Sequence, residues 1–271
     1  MTARSMLAFL AAALSSFCSE PGSASATMSE RPAPTAAVAP DELVGRWRVV
    51  AVDKVVVEPK RNAYLSFLRY RFGGNVGCNG FGAPGLLADG HYAISFWMSS
   101  TMACHGRAAG NQEQAIGTLM FARPKVERLP GDRLRFSGGG HDMELSRLGP
   151  NEEADQPKEP AELANTRWRA IMMNGKEKAG DPKNRYVRFT AGGWQGLIAC
   201  AIVSGTWRRE GDRLLIGREI TTTEQRCPAD LAAIDDSFVA LMRTNPRYRT
   251  GEMGDLLIAG GGNALTAARV Q

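Results

Sequence analysis

Histidine is scarce in this chain, with three in 271 residues, and aromatic residues make up only 7% of it. So few imidazoles leave little material for a histidine-rich metal centre or a general-base cluster. An excess of one charge is also lacking: 33 Lys and Arg stand against 28 Asp and Glu, interspersed along the chain, for a net charge of +5. That mixture describes a solvated, mildly basic surface, so no nucleic-acid partner is expected. Nor is there, beyond a short N-terminal stretch, an apolar run approaching the roughly 20 residues a bilayer-spanning helix needs. What is abundant is glycine, with 30 residues, alongside 14 prolines and a 44% hydrophobic content. These allow two ordinary domains with real cores.

Residues 1–26 have the form of an export signal. Arg4 supplies positive charge, Met6 to Phe17 are mostly apolar, and Ala24-Ser25-Ala26 has the small-x-small pattern of a cleavage site. A rival reading makes Cys18 a lipidation site directly behind the apolar run, although Phe17 before it is bulkier than a lipobox normally holds. Both readings place the mature chain outside the cytoplasm, periplasmic or secreted in one case and lipid-anchored in the other. Residues 27–40, rich in Ser, Ala, Thr and Pro, read as a flexible tether.

Sliding the chain along itself by about 122 residues brings its landmarks into register. Arg46-Trp47-Arg48 meets Arg167-Trp168-Arg169, and Tyr64-Leu65-Ser66-Phe67 meets Tyr186-Val187-Arg188-Phe189. Cys78 meets Cys200, Cys104 meets Cys227, Leu119-Met120 meets Leu241-Met242, Pro124 meets Pro246, and Asp132 with Leu134 meets Asp255 with Leu257. So many coincidences in one order identify an internal duplication. Residues 149–160, with three prolines and no large apolar side chain, form the linker between units at 41–148 and 161–271.

Strand signals dominate both units. Trp47 to Val52, Leu134 to Phe136 and Met143 to Leu145 are short β-rich or alternating segments, parted by turn formers such as Pro130-Gly131-Asp132. Glu210-Gly211-Asp212, between Thr206-Trp207 and Leu214-Leu215-Ile216, predicts a hairpin. One helix per unit is expected. After Pro228, Leu231, Ile234, Phe238, Leu241 and Met242 share a helical face, and its counterpart over 113–121 carries Ile116, Leu119 and Met120, weakened by Gly117. The expected fold class is therefore α+β, mainly β: two tandem domains, each an antiparallel, partly barrel-like sheet with one helix inserted before its last hairpin.

These residues resemble the META domain (HslJ-like) family. The first unit carries Trp47, Phe67, the Gly77-Cys78-Asn79-Gly80-Phe81 block, and then Thr101-Met102-Ala103-Cys104. The second keeps Trp168, Phe189 and Gly196 but replaces the two blocks with Ala199-Cys200-Ala201 and Glu224-Gln225-Arg226-Cys227. The resemblance implies an exported or membrane-anchored protein of mixed α and β structure, associated with stress response, drug tolerance or secretion, and with no enzymatic activity generally assigned.

The duplication preserved two cysteines per unit while their surroundings changed, which suggests the pairs Cys78 with Cys104 and Cys200 with Cys227. Each bridge would close a loop of about 27 residues and contribute roughly 3 to 4 kcal/mol in the chain-entropy model. Reduced buried cysteines and pairing across units are the alternatives. A zinc site from Cys78, Cys104, His105 and His91 is disfavoured because the second unit keeps its cysteines without any histidine. A Cys104 nucleophile with His105 as its base fails because neighbours on a strand point to opposite faces. Gly138-Gly139-Gly140 and Gly260-Gly261-Gly262 read as hairpin turns, not phosphate loops, and His141 as a solvated loop residue. Asn79 is either a ligand contact or a local backbone cap. Trp47 and Trp168 read as core. Trp97, Trp194 and Trp207 are core or groove. No catalytic residue, metal or cofactor is expected. The leading functional expectation is a non-catalytic envelope or secreted protein acting by binding or structural support, with an envelope protein or small ligand as partner. The alternative is a carrier for a hydrophobic small molecule or peptide.

Overall fold

The computed structural model describes residues 37–58, 62–102, 107–150, 161–177, 184–223, 227–251 and 254–270. The export-signal and Cys18 readings lie outside these residues, as do most of the tether, most of the linker, Ala103 and Cys104.

The first unit runs α1 (Pro40–Leu43), β1 (Gly45–Val52), β2 (Val55–Val56), β3 (Tyr64–Leu68), β4 (Arg71–Asn75), β5 (Gly80–Ala88), β6 (His91–Ile94), β7 (Met98–Ser99), α2 (Arg107–Phe121), β8 (Lys125–Leu129), β9 (Arg133–Gly138) and β10 (His141–Gly149). The second runs β11 (Thr166–Met173), β12 (Lys176–Glu177), β13 (Tyr186–Phe189), β14 (Gly193–Leu197), β15 (Ile202–Glu210), β16 (Arg213–Thr222), α3 (Ala229–Arg243), β17 (Arg247–Thr250), β18 (Asp255–Gly260) and β19 (Asn263–Arg269). Every pairing is antiparallel. In each unit eight strands close a ring, sealed by β1 on β10 and by β11 on β19. Closure removes the exposed edges that an open sheet would present.

The α+β, mainly β expectation holds, with two differences. Three strands follow each helix rather than one hairpin, because Lys125–Leu129 and Arg247–Thr250 also join the sheet. These are charge-rich segments in which the alternation that marks a strand is hard to see. Helix α2 also starts at Arg107, well before Glu113, because the Gly110 and Gln112 turn lacks an apolar stripe. Both helices stop alike, on a left-handed residue (Arg123 or Asn245, φ 53° and 52°) followed by proline. Each ring is weakest where its helix enters, with one ladder pair joining β6 to β8 and one joining β16 to β17.

The ring interiors are solid. Phe67 stacks on Phe72 and Phe136 at 5.7 and 5.6 Å and meets the Tyr92 ring edge-on at 5.4 Å, while α2 adds Ile116, Leu119 and Met120. The second ring is filled by Phe189, Trp194, Trp207 and, from α3, Phe238, Leu241 and Met242. The duplicated Arg-Trp-Arg and Tyr landmarks are one device used twice: Arg46 lies 4.3 Å over Tyr64 and Arg167 lies 4.5 Å over Tyr186. Trp47 and Trp168 are core residues, with indole N–H groups donating to Leu43 O and Thr166 Oγ1.

Strands β4, β5 and β14 are rich in glycine, which normally weakens a strand. At Gly196 the reason is direct: a Cβ there would stand 2.5 Å from Cε1 of Phe238. Gly196→Ala is expected to cost about 1–3 kcal/mol through overpacking, read as a lower denaturation midpoint. A neutral result would mean that the α3 ring has room to move.

The units also pack on one another. Leu86, Ala88 and Ala93 from β5 and β6 form a separate buried cluster with Leu257, Ala259 and Ala264 from β18 and β19. Around it lie buried ion pairs. Arg247 and Arg249 flank Tyr248 on β17, so when Tyr248 enters the second core the two arginines face the first unit. Arg247 donates through Nη1 to Leu87 O at 2.9 Å and pairs with Asp212, which also accepts from the Tyr70 hydroxyl at 3.2 Å. Arg249 Nη1 is 2.7 Å from Asp255 Oδ2, which accepts from Ser95 Oγ at 3.2 Å. Burial, with Asp212 alongside, pushes the Tyr70 phenol up to about 12, so it stays protonated and keeps donating.

Candidate functional site

The Gly77-Cys78-Asn79 block is the loop between β4 and β5. Asn75 shapes it, accepting from Gly77 N–H and donating through Nδ2 to Cys78 O at 3.1 Å, while Gly77 takes φ +104°, which suits glycine. Asn79 then ties three elements together. Its Oδ1 accepts from Met102 N–H at 2.8 Å and Ser100 Oγ at 3.2 Å, and its Nδ2 donates to Glu113 Oε2 on α2 at 3.0 Å. Ser99 Oγ donates to the other Glu113 oxygen at 2.7 Å. Asn79 is 9% exposed. Its amide is thus engaged with the protein itself, and it acts as a latch between loop, β7 segment and helix.

Beside the latch is a groove of about 460 Å³, lined by Asn79, Glu113, Trp97, Gly117 and Phe121 among others. Trp97 stacks on Phe81 at 4.8 Å. A Cβ on Gly117 would meet the Trp97 ring at 3.9 Å, an ordinary van der Waals contact, so the helix approaches the indole closely at that glycine. The segment hydrogen-bonded to the latch carries Met98 and Met102, both more than half exposed, and Thr101 between them is exposed as well.

In the second unit the same junction is closed by different chemistry. Helices α2 and α3 are both 15 residues long and occupy the same place in their units, which sets Asp235 where Glu113 stands. Asp235, 5% exposed, reaches the loop backbone itself: Oδ1 accepts from Ala199 N–H at 3.1 Å and Oδ2 from Cys200 and Ala201 N–H at 3.0 and 2.8 Å. Ala201 occupies the place of Asn79, so the carboxylate does the fastening that the asparagine does in the first unit. The counterpart of Gly117 is Val239, packed against the second core.

The Cys200–Cys227 disulfide is formed, spanning 27 residues with a Cα–Cα distance of 6.0 Å. Cys78 is also disulfide-bonded; the expected Cys78–Cys104 pair extends outside the described residues. The three tryptophans left open as core or groove fall in different places. Trp194 and Trp207 belong to the second core, and Trp97 alone lies at the first-unit groove. Gly139-Gly140 and Gly261-Gly262 make the β9–β10 and β18–β19 turns. His141 is not a loop residue: it opens β10, and its Nδ1 lies 2.8 Å from Asp53 Oδ2. His105 lies outside the described residues, and among the described ones no three His, Cys, Asp or Glu are grouped to hold a metal.

What sequence reasoning missed was the helix acid. Nothing in the spacing of Glu113 and Asp235 shows that each reaches a loop more than thirty residues away.

The META domain family matches this chain twice, over residues 41–149 and 161–271. The chain belongs to the META domain family. The chain is also similar to solved structures. One, determined by NMR, is 19% identical over 41% of this chain and 97% of its own, with a TM-score of 0.38. Another NMR structure, from Burkholderia xenovorans, is 18% identical over 43% of this chain and 90% of its own, with a TM-score of 0.37. A DNA polymerase sliding clamp from Pseudomonas aeruginosa is 9% identical over 77% of this chain and 57% of its own, with a TM-score of 0.22. Among curated proteins, none matches.

Proposed function

We propose that this META protein is a non-catalytic, exported or envelope-anchored binding protein, in which the first unit holds the ligand and the second supports it. The observation that carries the reading is the asymmetry of the two loop–helix junctions. Val239 packs on the second core where Gly117 leaves a groove in the first unit. The solid ring interiors favour a ligand held outside the barrel, between sheet and helix, over one held within it. Support for an extracytoplasmic location comes from the signal-like leader and the Cys200–Cys227 bridge, which persists in oxidising compartments. No helix among the described residues is long and apolar enough to cross a membrane. A role in envelope stress is the physiological setting this reading favours.

The test uses the purified mature protein. Mass spectrometry is expected to show a chain lacking its leader, with or without an acyl group on Cys18, and two disulfides. A screen against hydrolase substrates is expected to show no turnover. Turnover abolished by one polar substitution would overturn the non-catalytic reading.

A further inference from the structure

We propose that the first-unit groove takes a hydrophobic cation: an ammonium group carried on an apolar body. The proposal rests on the binding reading above and names the ligand chemistry of that site. Trp97 and Phe121 supply its apolar, aromatic walls, and helix α2 lines the floor at Gly117, which carries no side chain. At one end stands Glu113. Its two carboxylate oxygens hold only neutral donors, Asn79 Nδ2 and Ser99 Oγ, and no arginine or lysine among the described residues pairs with it. Most other acids of this unit have such a partner: Asp41 pairs with Arg69, Glu42 with Arg128, Glu127 with Lys125 and Asp142 with Arg135.

The charge complementarity decides the occupant. A carboxylate fixed by two neutral hydrogen bonds at the end of an aromatic groove repels an anion and costs a neutral ligand its desolvation. For an ammonium it offers a charge-assisted hydrogen bond, and the neighbouring indole adds attraction from its electron-rich face. The exposed Met98 and Met102 on the bordering segment supply flexible, polarizable contacts suited to an apolar tail of varied shape. In the second unit Asp235 is spent on three backbone N–H groups and Val239 replaces the glycine, so the device is confined to one unit.

The test compares three probes with the same eight-carbon tail, octylammonium, octanol and octanoate, each below its aggregation concentration, by NMR of the full mature protein. Octylammonium is expected to shift the Trp97 indole signal saturably, octanol more weakly and octanoate not at all. Glu113→Gln, which keeps a hydrogen-bonding side chain, is expected to weaken octylammonium about tenfold and leave octanol unchanged. Gly117→Leu fills the groove and raises helix propensity, so it is expected to abolish both without unfolding the protein. Octanol or octanoate binding as well as octylammonium at Trp97 would overturn the cation proposal and leave the binding reading standing. Silence at Trp97 with all three probes, or binding undisturbed by Gly117→Leu, would overturn both.

Discussion

Asp235→Ala is expected to lower the stability of the second unit by about 4 kcal/mol. The carboxylate accepts from three consecutive backbone N–H groups at 3.1, 3.0 and 2.8 Å and is itself 5% exposed. A hydrogen bond to a charged group contributes about 1.5–3 kcal/mol, and a buried donor left without its acceptor costs about 1–3 kcal/mol. Three such bonds sharing one acceptor are not additive, and partial access of water to the Ala199 and Cys200 amides softens the loss. Asp235→Asn keeps one oxygen and should cost about half as much. Chemical denaturation gives the magnitude, and amide hydrogen exchange at residues 199–201 gives the location. The loop is already anchored by the Cys200–Cys227 bridge, so in Asp235→Ala it should exchange faster without detaching. A loss below about 1 kcal/mol would mean that the disulfide alone holds the junction and that Asp235 is incidental. The same change at Glu113 should be milder, because Glu113 meets the side chains of Asn79 and Ser99 and, among the described residues, no backbone amide.

Asp212→Ala is expected to cost about 3–5 kcal/mol and to loosen the two units from each other. The Arg247 side chain is 7% exposed and Asp212 16%, so removing the carboxylate strands a guanidinium at a buried interface. It also takes away the acceptor of the Tyr70 hydroxyl. The pair need not be worth that much in itself, since desolvation offsets its attraction; the penalty is that of a charge left without its partner. The double variant Asp212→Ala, Arg247→Met should therefore recover part of the loss. Cleavage within residues 150–160 followed by gel filtration isolates the interface. The nicked wild-type fragments should co-elute, those of Asp212→Ala should separate, and those of the double variant should fall between. Separation of the wild-type fragments would show that the linker and not the interface holds the units together.

Much of this arrangement was legible beforehand. The duplication, the framework residues Trp47, Trp168, Phe67 and Phe189, the helix after Pro228, and the Cys200–Cys227 pair all follow from spacing, because each is a local pattern repeated at one interval. The interface left a signal that periodicity alone does not decode. Leu256-Leu257-Ile258-Ala259 in β18 and Leu86-Leu87-Ala88 in β5 are continuous apolar runs where a half-buried strand would alternate. Such a run means that both faces are covered, and here Leu256 and Ile258 enter their own core while Leu257 and Ala259 meet the other unit. The aligned pair Asp132 and Asp255 shows the limit of the repeat as a guide. One is 80% exposed on the surface, while the other lies 14% exposed at the interface, bound to Arg249.

The sequence by itself determined that this protein is two copies of one mostly β unit with a helix in each, since hydrophobic period, turn chemistry and cysteine spacing are properties of short segments. Only the tertiary structure decided which partners those segments meet. Closure of each ring joins strands about a hundred residues apart, Asp235 reaches a loop 34 to 36 residues away, and Asp212 faces Tyr70 across 142 residues. These contacts depend on how sheets curve and how two barrels dock, and no local pattern carries that geometry. For the same reason the scarce histidines and balanced charges noted at the outset narrowed the chemistry without locating the site. The groove exists because Gly117 passes under Trp97, a meeting made by the fold.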